Sequence, residues 1–164
     1  MAQGFTLPTE WSDEVAVATP YMASDVAGLR HLPTEWQVVD RVVLSDSIID
    51  HVVVGPNGLF TVSIDPDPAP ASVEHDGLYR SGTRVTHAVK SALAAAHDLR
   101  SRVGADAFAY PLLVTAITGD RSHLDRLGVV PGDRIAEAIW THPGRPMRRS
   151  ERLEAIWSLR SLTS

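Results

Sequence analysis

The chain has 164 residues, 44% of them hydrophobic and 21% charged, with 11 Gly, 11 Pro and no cysteine. That length suits one domain able to bury a single core, and the absence of thiols excludes disulfide scaffolds, thiolate zinc sites and cysteine nucleophiles. Twenty acidic against fifteen basic residues give a formal charge of −5, which argues against tight, non-specific nucleic-acid binding by the chain as a whole.

No apolar run approaches the ~20 residues that span a bilayer, so no membrane span is expected. Met1–Thr6 lacks a basic start before an apolar stretch, so no secretory signal is read there and a cytoplasmic protein is the expectation. Lys90 is the only lysine among the fifteen basic residues, so chemistry needing an ammonium has one candidate.

Residues 1–20 hold Pro8, Pro20 and only a short apolar run at Val15–Val17, and read as an arm. Residues 21–164 read as one domain. Leu-Pro-Thr-Glu-Trp occurs at Leu7–Trp11 and again at Leu32–Trp36, a coincidence or small local duplication rather than a repeat architecture. Ser24 suits the cap of a short helix through Leu32, with Met22, Val26 and Leu29 inward and Pro33 as its stop. Trp36–Leu44, Ile48–Val54 and Leu59–Asp65 are β-branched runs. Ser45–Ser47 and Gly55-Pro56-Asn57-Gly58 turn the chain between them, so they form a β-meander. Three prolines in Asp65–Pro70 bar a central strand and predict a stiff exposed loop. Val73–His75 and Leu78–Arg80 flank an Asp76-Gly77 hairpin signal.

From Val85 to Val103 apolar residues recur at three and four, predicting a helix that Gly104 ends. Pro111–Ile117 suits a buried strand, and Leu124, Leu127 and Val129 follow it. Arg134–Trp140 fits either a helix or a strand. The last helix is capped by Ser150, with Leu153, Ile156, Trp157 and Leu159 on its apolar side; Trp140 and Trp157 are assigned to the core. This order describes an α/β domain of two or three layers.

Ile49-Asp50-His51-Val52-Val53-Val54-Gly55-Pro56-Asn57-Gly58-Leu59-Phe60 resembles the core of the nuclease-related domain, NERD, a family grouped with the PD-(D/E)xK nucleases. Weaker, positional similarity extends over most of residues 21–120. The resemblance implies a restriction-endonuclease-like core, a central mixed β-sheet flanked by α-helices. It also implies a site where carboxylates hold Mg²⁺ or Mn²⁺ through oxygen, the metal activates a water on a phosphodiester, and a lysine assists.

Carried over position by position, Asp50 matches the first metal ligand. Counting from Gly58-Leu59-Phe60, the family's Glu falls at Ser63 and its Lys at Asp65. A neutral hydroxyl thus replaces a carboxylate, and a carboxylate replaces the cation. The family's Gly-Glu on its first helix falls near Tyr21-Met22, with Asp25 one turn further on, and its Gln falls near Lys90. The expectation is a domain with a degenerate, inactive site that acts in binding or regulation. One alternative is a rearranged nuclease with Asp50 and Asp65 as metal ligands, Lys90 as a migrated catalytic lysine and Asp25 completing the set. Another is a protein-interaction module with an exposed apolar patch or a homodimer face.

The seven histidines show no ligand spacing. His51 is placed on the sheet face opposite Asp50, beneath a helix. Arg145, Arg148, Arg149 and Arg152 form the basic cluster, offering weak contact to a phosphate backbone or a solvated face. Ser63 lies outside any Gly-x-Ser-x-Gly setting, so a serine hydrolase is not supported.

Overall fold

Runs of Val, Ile and Leu between turn residues build the first sheet, because branched side chains pack well on a pleated surface. A computed structural model describes residues 26–104, 108–117 and 122–163. The expected arm, the Tyr21, Met22 and Asp25 positions and the Ser24 cap lie outside the described residues.

Strands β1 (Gln37–Val43), β2 (Ile48–Gly55) and β3 (Gly58–Ile64) form the expected antiparallel meander. Gly55 pairs with Gly58, leaving Pro56 and Asn57 as a two-residue turn. Gly58 has φ +138°, and a Cβ there would meet the Tyr110 ring at 3.0 Å, so glycine is required on both counts.

Strict alternation fails once. Val39 and Val42, three residues apart, share one core cluster, as do Ile49 and Val52. Both strands therefore switch faces at the facing positions Arg41 and Asp50, and Arg41 takes φ +51° to do so.

The chain then leaves the sheet for a small antiparallel one, β4 (Ser72–Glu74), β5 (Gly77–Arg80) and β6 (Thr83–Arg84). Helix α1 (His87–Val103) follows. Strand β7 (Ala109–Val114) returns parallel to β3, while β8 (Ser122–Leu124) and β9 (Leu127–Val130) make a hairpin. The large sheet is mixed, in the order β1-β2-β3-β7-β9-β8. Helices α2 (Ile135–Trp140) and α3 (Arg149–Arg160) complete the chain.

The sheet is covered on both faces, so the fold is a three-layer α/β domain. Val52, Val54 and Leu59 pack against Ala95, Ala96 and Leu99 of α1 and against Ala155, Ile156 and Leu159 of α3. On the other face Val53, Phe60, Val62 and Val114 meet Ile135 and Ile139 of α2, with Val26 and Leu29 beside a 3-10 turn, Ala27–His31. A third cluster, including Leu78, Ala92, Leu113 and Val129, fixes the small sheet.

Several expectations need correction. The short helix before Pro33 is, within the described residues, that 3-10 turn. Arg134–Trp140 resolves into a 3-10 turn, Gly132–Arg134, running into α2. Strand β6 and the β8–β9 hairpin, unread in the sequence, are pieces of two to four residues. Ser150 lies inside α3; the helix starts after Arg148, whose N–H donates to Glu151 Oε2 at 2.6 Å. Trp140 and Trp157 do not join the core, being 61% and 79% exposed. Trp157 sits about 100° around the helix from the buried Ile156, beyond the stripe that meets the sheet. Asp65, expected in an exposed loop, is buried.

Candidate functional site

Asp50 is held by what the meander lacks at that point. The β2–β3 ladder runs from Gly55 opposite Gly58 to His51 opposite Val62 and then stops. The next β3 donor toward β2, the Ile64 N–H, bonds to Asp50 Oδ2 at 2.8 Å. A side chain thus replaces a missing main-chain acceptor, which an N–H in the sheet would otherwise need.

Asp65 continues β3 and pairs its N–H with Val114 of β7. Its carboxylate receives three donors: the Asp67 N–H on Oδ1 at 3.1 Å, and Thr115 Oγ1 at 3.1 Å and Arg80 at 2.8 Å on Oδ2. Arg80 also donates through Nε to the Ala69 carbonyl and pairs with Asp67 at 3.3 Å. One guanidinium from the small sheet therefore locks the proline-rich loop onto the end of β3.

Ser63 lies between Thr61 and Asp65 on the same face, opposite Leu113 in register, and is half-buried. Thr61 Oγ1 is buried with no hydrogen-bond partner among the described residues.

Lys90 is elsewhere. It is exposed on α1 and lines a groove of about 360 Å³ with His75, Asp76 and Arg84 of the small sheet and His123 and Asp125 of the β8–β9 hairpin. The structure brings Asp50 and Asp65 to the same end of β3, but the cation it sets on Asp65 is Arg80. Sequence reasoning missed Arg80, which meets Asp65 across two different sheets.

A hard divalent cation needs about six oxygens around it. Both Asp65 oxygens are occupied and a guanidinium stands on one of them, so this donor set does not fit Mg²⁺ or Mn²⁺. Among the described residues no three His, Asp or Glu side chains come together as a metal site.

The Gly55-Pro56-Asn57-Gly58 turn has a structural role of its own. Asn57 Nδ2 donates to the carbonyls of Ile139 at 2.7 Å and His142 at 3.1 Å, and Trp36 Nε1 donates to Asn57 Oδ1 at 3.0 Å. The Met147 N–H donates to the Pro56 carbonyl. One asparagine thereby fastens the end of α2 to the β2–β3 turn. Phe60, Tyr110 and His142 stack beside it, with ring centroids 4.4–5.5 Å apart.

His51, expected beneath a helix, instead lines a groove beside the 3-10 turn Ala27–His31, and a carboxylate accompanies it. Its Nδ1 lies 2.7 Å from Asp40 Oδ1, a residue directly opposite on β1. The three-residue turn expected at Ser45–Ser47 would set Arg41 opposite His51; the strands instead pair with Val43 opposite Ile48, and that register brings Asp40 to His51.

At the surface the Tyr79 hydroxyl donates to both Asp76 oxygens at 3.0 and 3.1 Å. That bond to a carboxylate raises the phenol above its ordinary value.

Of the basic cluster, Arg145, Arg148 and Arg149 are exposed, while Arg152 donates to the Met147 carbonyl at 3.0 Å. The N-terminus of α3 already holds the Glu151 carboxylate, so it offers no open anion seat.

No protein-family model, curated protein or solved structure matches this chain.

Proposed function

We propose that the chain is a NERD-like domain whose phosphodiester-cleaving centre has been dismantled, and that it acts by binding rather than by cleavage. The observation that supports this most directly is Arg80 on Asp65: the carboxylate where a catalytic lysine would stand already accepts from three internal donors, one of them a guanidinium. Asp50 serves β3 as an acceptor, Ser63 carries no charge, and Lys90 lies in a separate groove. In this reading the domain works in the cytoplasm, without a resident metal, and the exposed Arg145, Arg148 and Arg149 give weak, salt-sensitive contact to a phosphate backbone.

The test is incubation of purified protein with single- and double-stranded DNA in Mg²⁺ or Mn²⁺. No cleavage above a metal-free control is expected. Cleavage abolished by Asp50→Ala would instead establish the rearranged nuclease with Asp50, Asp65 and Lys90.

A second reading, a protein-interaction module, draws on one specific feature. Leu153 and Trp157, one turn apart on α3, are 50% and 79% exposed. Light scattering tests its homodimer form, for which a monomer at all concentrations is the contrary result.

A further inference from the structure

The 3-10 turn Ala27–His31 does not close onto the meander beside it. Between them lies a groove of about 410 Å³, lined by Val26, Ala27, Leu29, Arg30, Val38, Asp40 and His51. Its size falls in the range of small-molecule sites, which pair an apolar floor with a few converging polar groups. We propose that this groove binds a small amphipathic anion: an apolar body carrying one carboxylate or phosphate, with the charged group seated between Arg30 and His51.

The apolar floor is Val26, Leu29 and Val38, all belonging to the cluster on that face of the sheet. The charge comes from two side chains on different elements. Arg30 is exposed in the last turn of the 3-10 segment and makes no ion pair among the described residues. The His51 ring is held by Asp40 through Nδ1, which fixes the tautomer and leaves Nε2 as the nitrogen for a ligand.

Asp40 is 71% exposed and bonded to the imidazole. Asp40 thus already has a partner, whereas the Arg30 guanidinium has no carboxylate paired with it among the described residues. The planar Arg30 guanidinium suits the geometry of a carboxylate or phosphate head, and the His51 ring lies beside it in the lining.

Other chemistries fit the groove less well. A metal would find one imidazole, already tied to the only carboxylate in the lining. Nucleophilic catalysis would find no hydroxyl or thiol there. The Lys90 groove places two carboxylates, Asp76 and Asp125, alongside Arg84 and Lys90, whereas the single carboxylate of this groove, Asp40, is already bonded to His51.

Octanoate and octyl phosphate, with octanol as the uncharged control, supply the probes. Binding is read as saturable shifts of the His51 ring protons by NMR and as affinity by calorimetry. At least one anion should bind and shift His51 about tenfold more tightly than octanol, and the tighter of the two identifies the headgroup. Arg30→Gln, an exposed change that leaves the melting temperature intact, should weaken that anion by about tenfold, the scale of one lost charged hydrogen bond. The proposal is overturned if neither anion shifts His51, if octanol matches the anions, or if Arg30→Gln binds as tightly as the parent.

Discussion

Two carboxylates, each bonded to a basic side chain, sit on opposite faces of the same meander. Asp65 and Arg80 are 6% and 12% exposed, and both Asp65 oxygens accept internal donors. Asp40 is 71% exposed, His51 is 23% exposed, and the ring has a second nitrogen beside a groove. Both pairs join a strand to a neighbouring element, yet only one is available to anything else. Burial and internal hydrogen bonding, more than residue type, separate a structural lock from a chemically open group.

The sharpest way to break that contrast is to unlock the buried pair. Arg80→Ala leaves the buried Asp65 carboxylate without its cation, and breaking a buried pair from one side costs about 3–5 kcal/mol. Urea unfolding should show the free energy of unfolding fall by that amount. Replacing both partners, Asp65→Leu with Arg80→Met, should recover most of the loss, because no charge is then left buried. If Arg80→Ala costs less than about 1 kcal/mol, the scale of a surface pair, the lock is not buried in solution and the contrast disappears.

Asp50 lies between the two extremes and tests whether its role is structural. Asp50→Ala leaves the Ile64 N–H without an acceptor, at a cost of about 1–3 kcal/mol. Asp50→Asn keeps an oxygen in place and should cost under about 1 kcal/mol. A stability loss that is equal for both variants would mean that the carboxylate's charge, and not its hydrogen bond, is what the fold uses there.

Where local signals sufficed, the sequence predicted the fold. The β-branched runs of β1–β3, the glycine-bounded turn and the three–four spacing of α1 each specify one element within a few residues of itself. Short pieces lacked that support. Thr83-Arg84 becomes a strand only because Ser81 and Gly82, both at positive φ, turn it back onto Tyr79 and Arg80.

Glu151 outcompeted Ser150 in setting the start of α3, since its carboxylate bonds back to the Arg148 N–H. The candidate site was less legible than the fold. Asp50 and Asp65 could be placed at the end of β3 by counting along strands. The partner of Asp65 comes from another sheet, fifteen residues on, and nothing periodic in the chain connects them. Trp157 shows the same limit at the surface: a helix's apolar residues are countable, but which of them meets the sheet depends on packing.

The smallest stability effect belongs to the open pair, and it separates stability from availability most cleanly. Asp40→Asn removes an exposed charge whose pairing is worth about 0–1 kcal/mol, so unfolding should barely change. The His51 ring nevertheless loses the carboxylate that holds its Nδ1 proton. The ring resonances of His51 in an NMR spectrum should therefore move in the variant, because the partner of Nδ1 changes from a carboxylate to an amide. The corresponding change on the other face, Asp65→Asn, should behave in the opposite way, costing stability while leaving His51 untouched. If both substitutions destabilise equally, or if Asp40→Asn leaves the His51 ring resonances unmoved, the two faces of the meander are not divided as their geometry indicates.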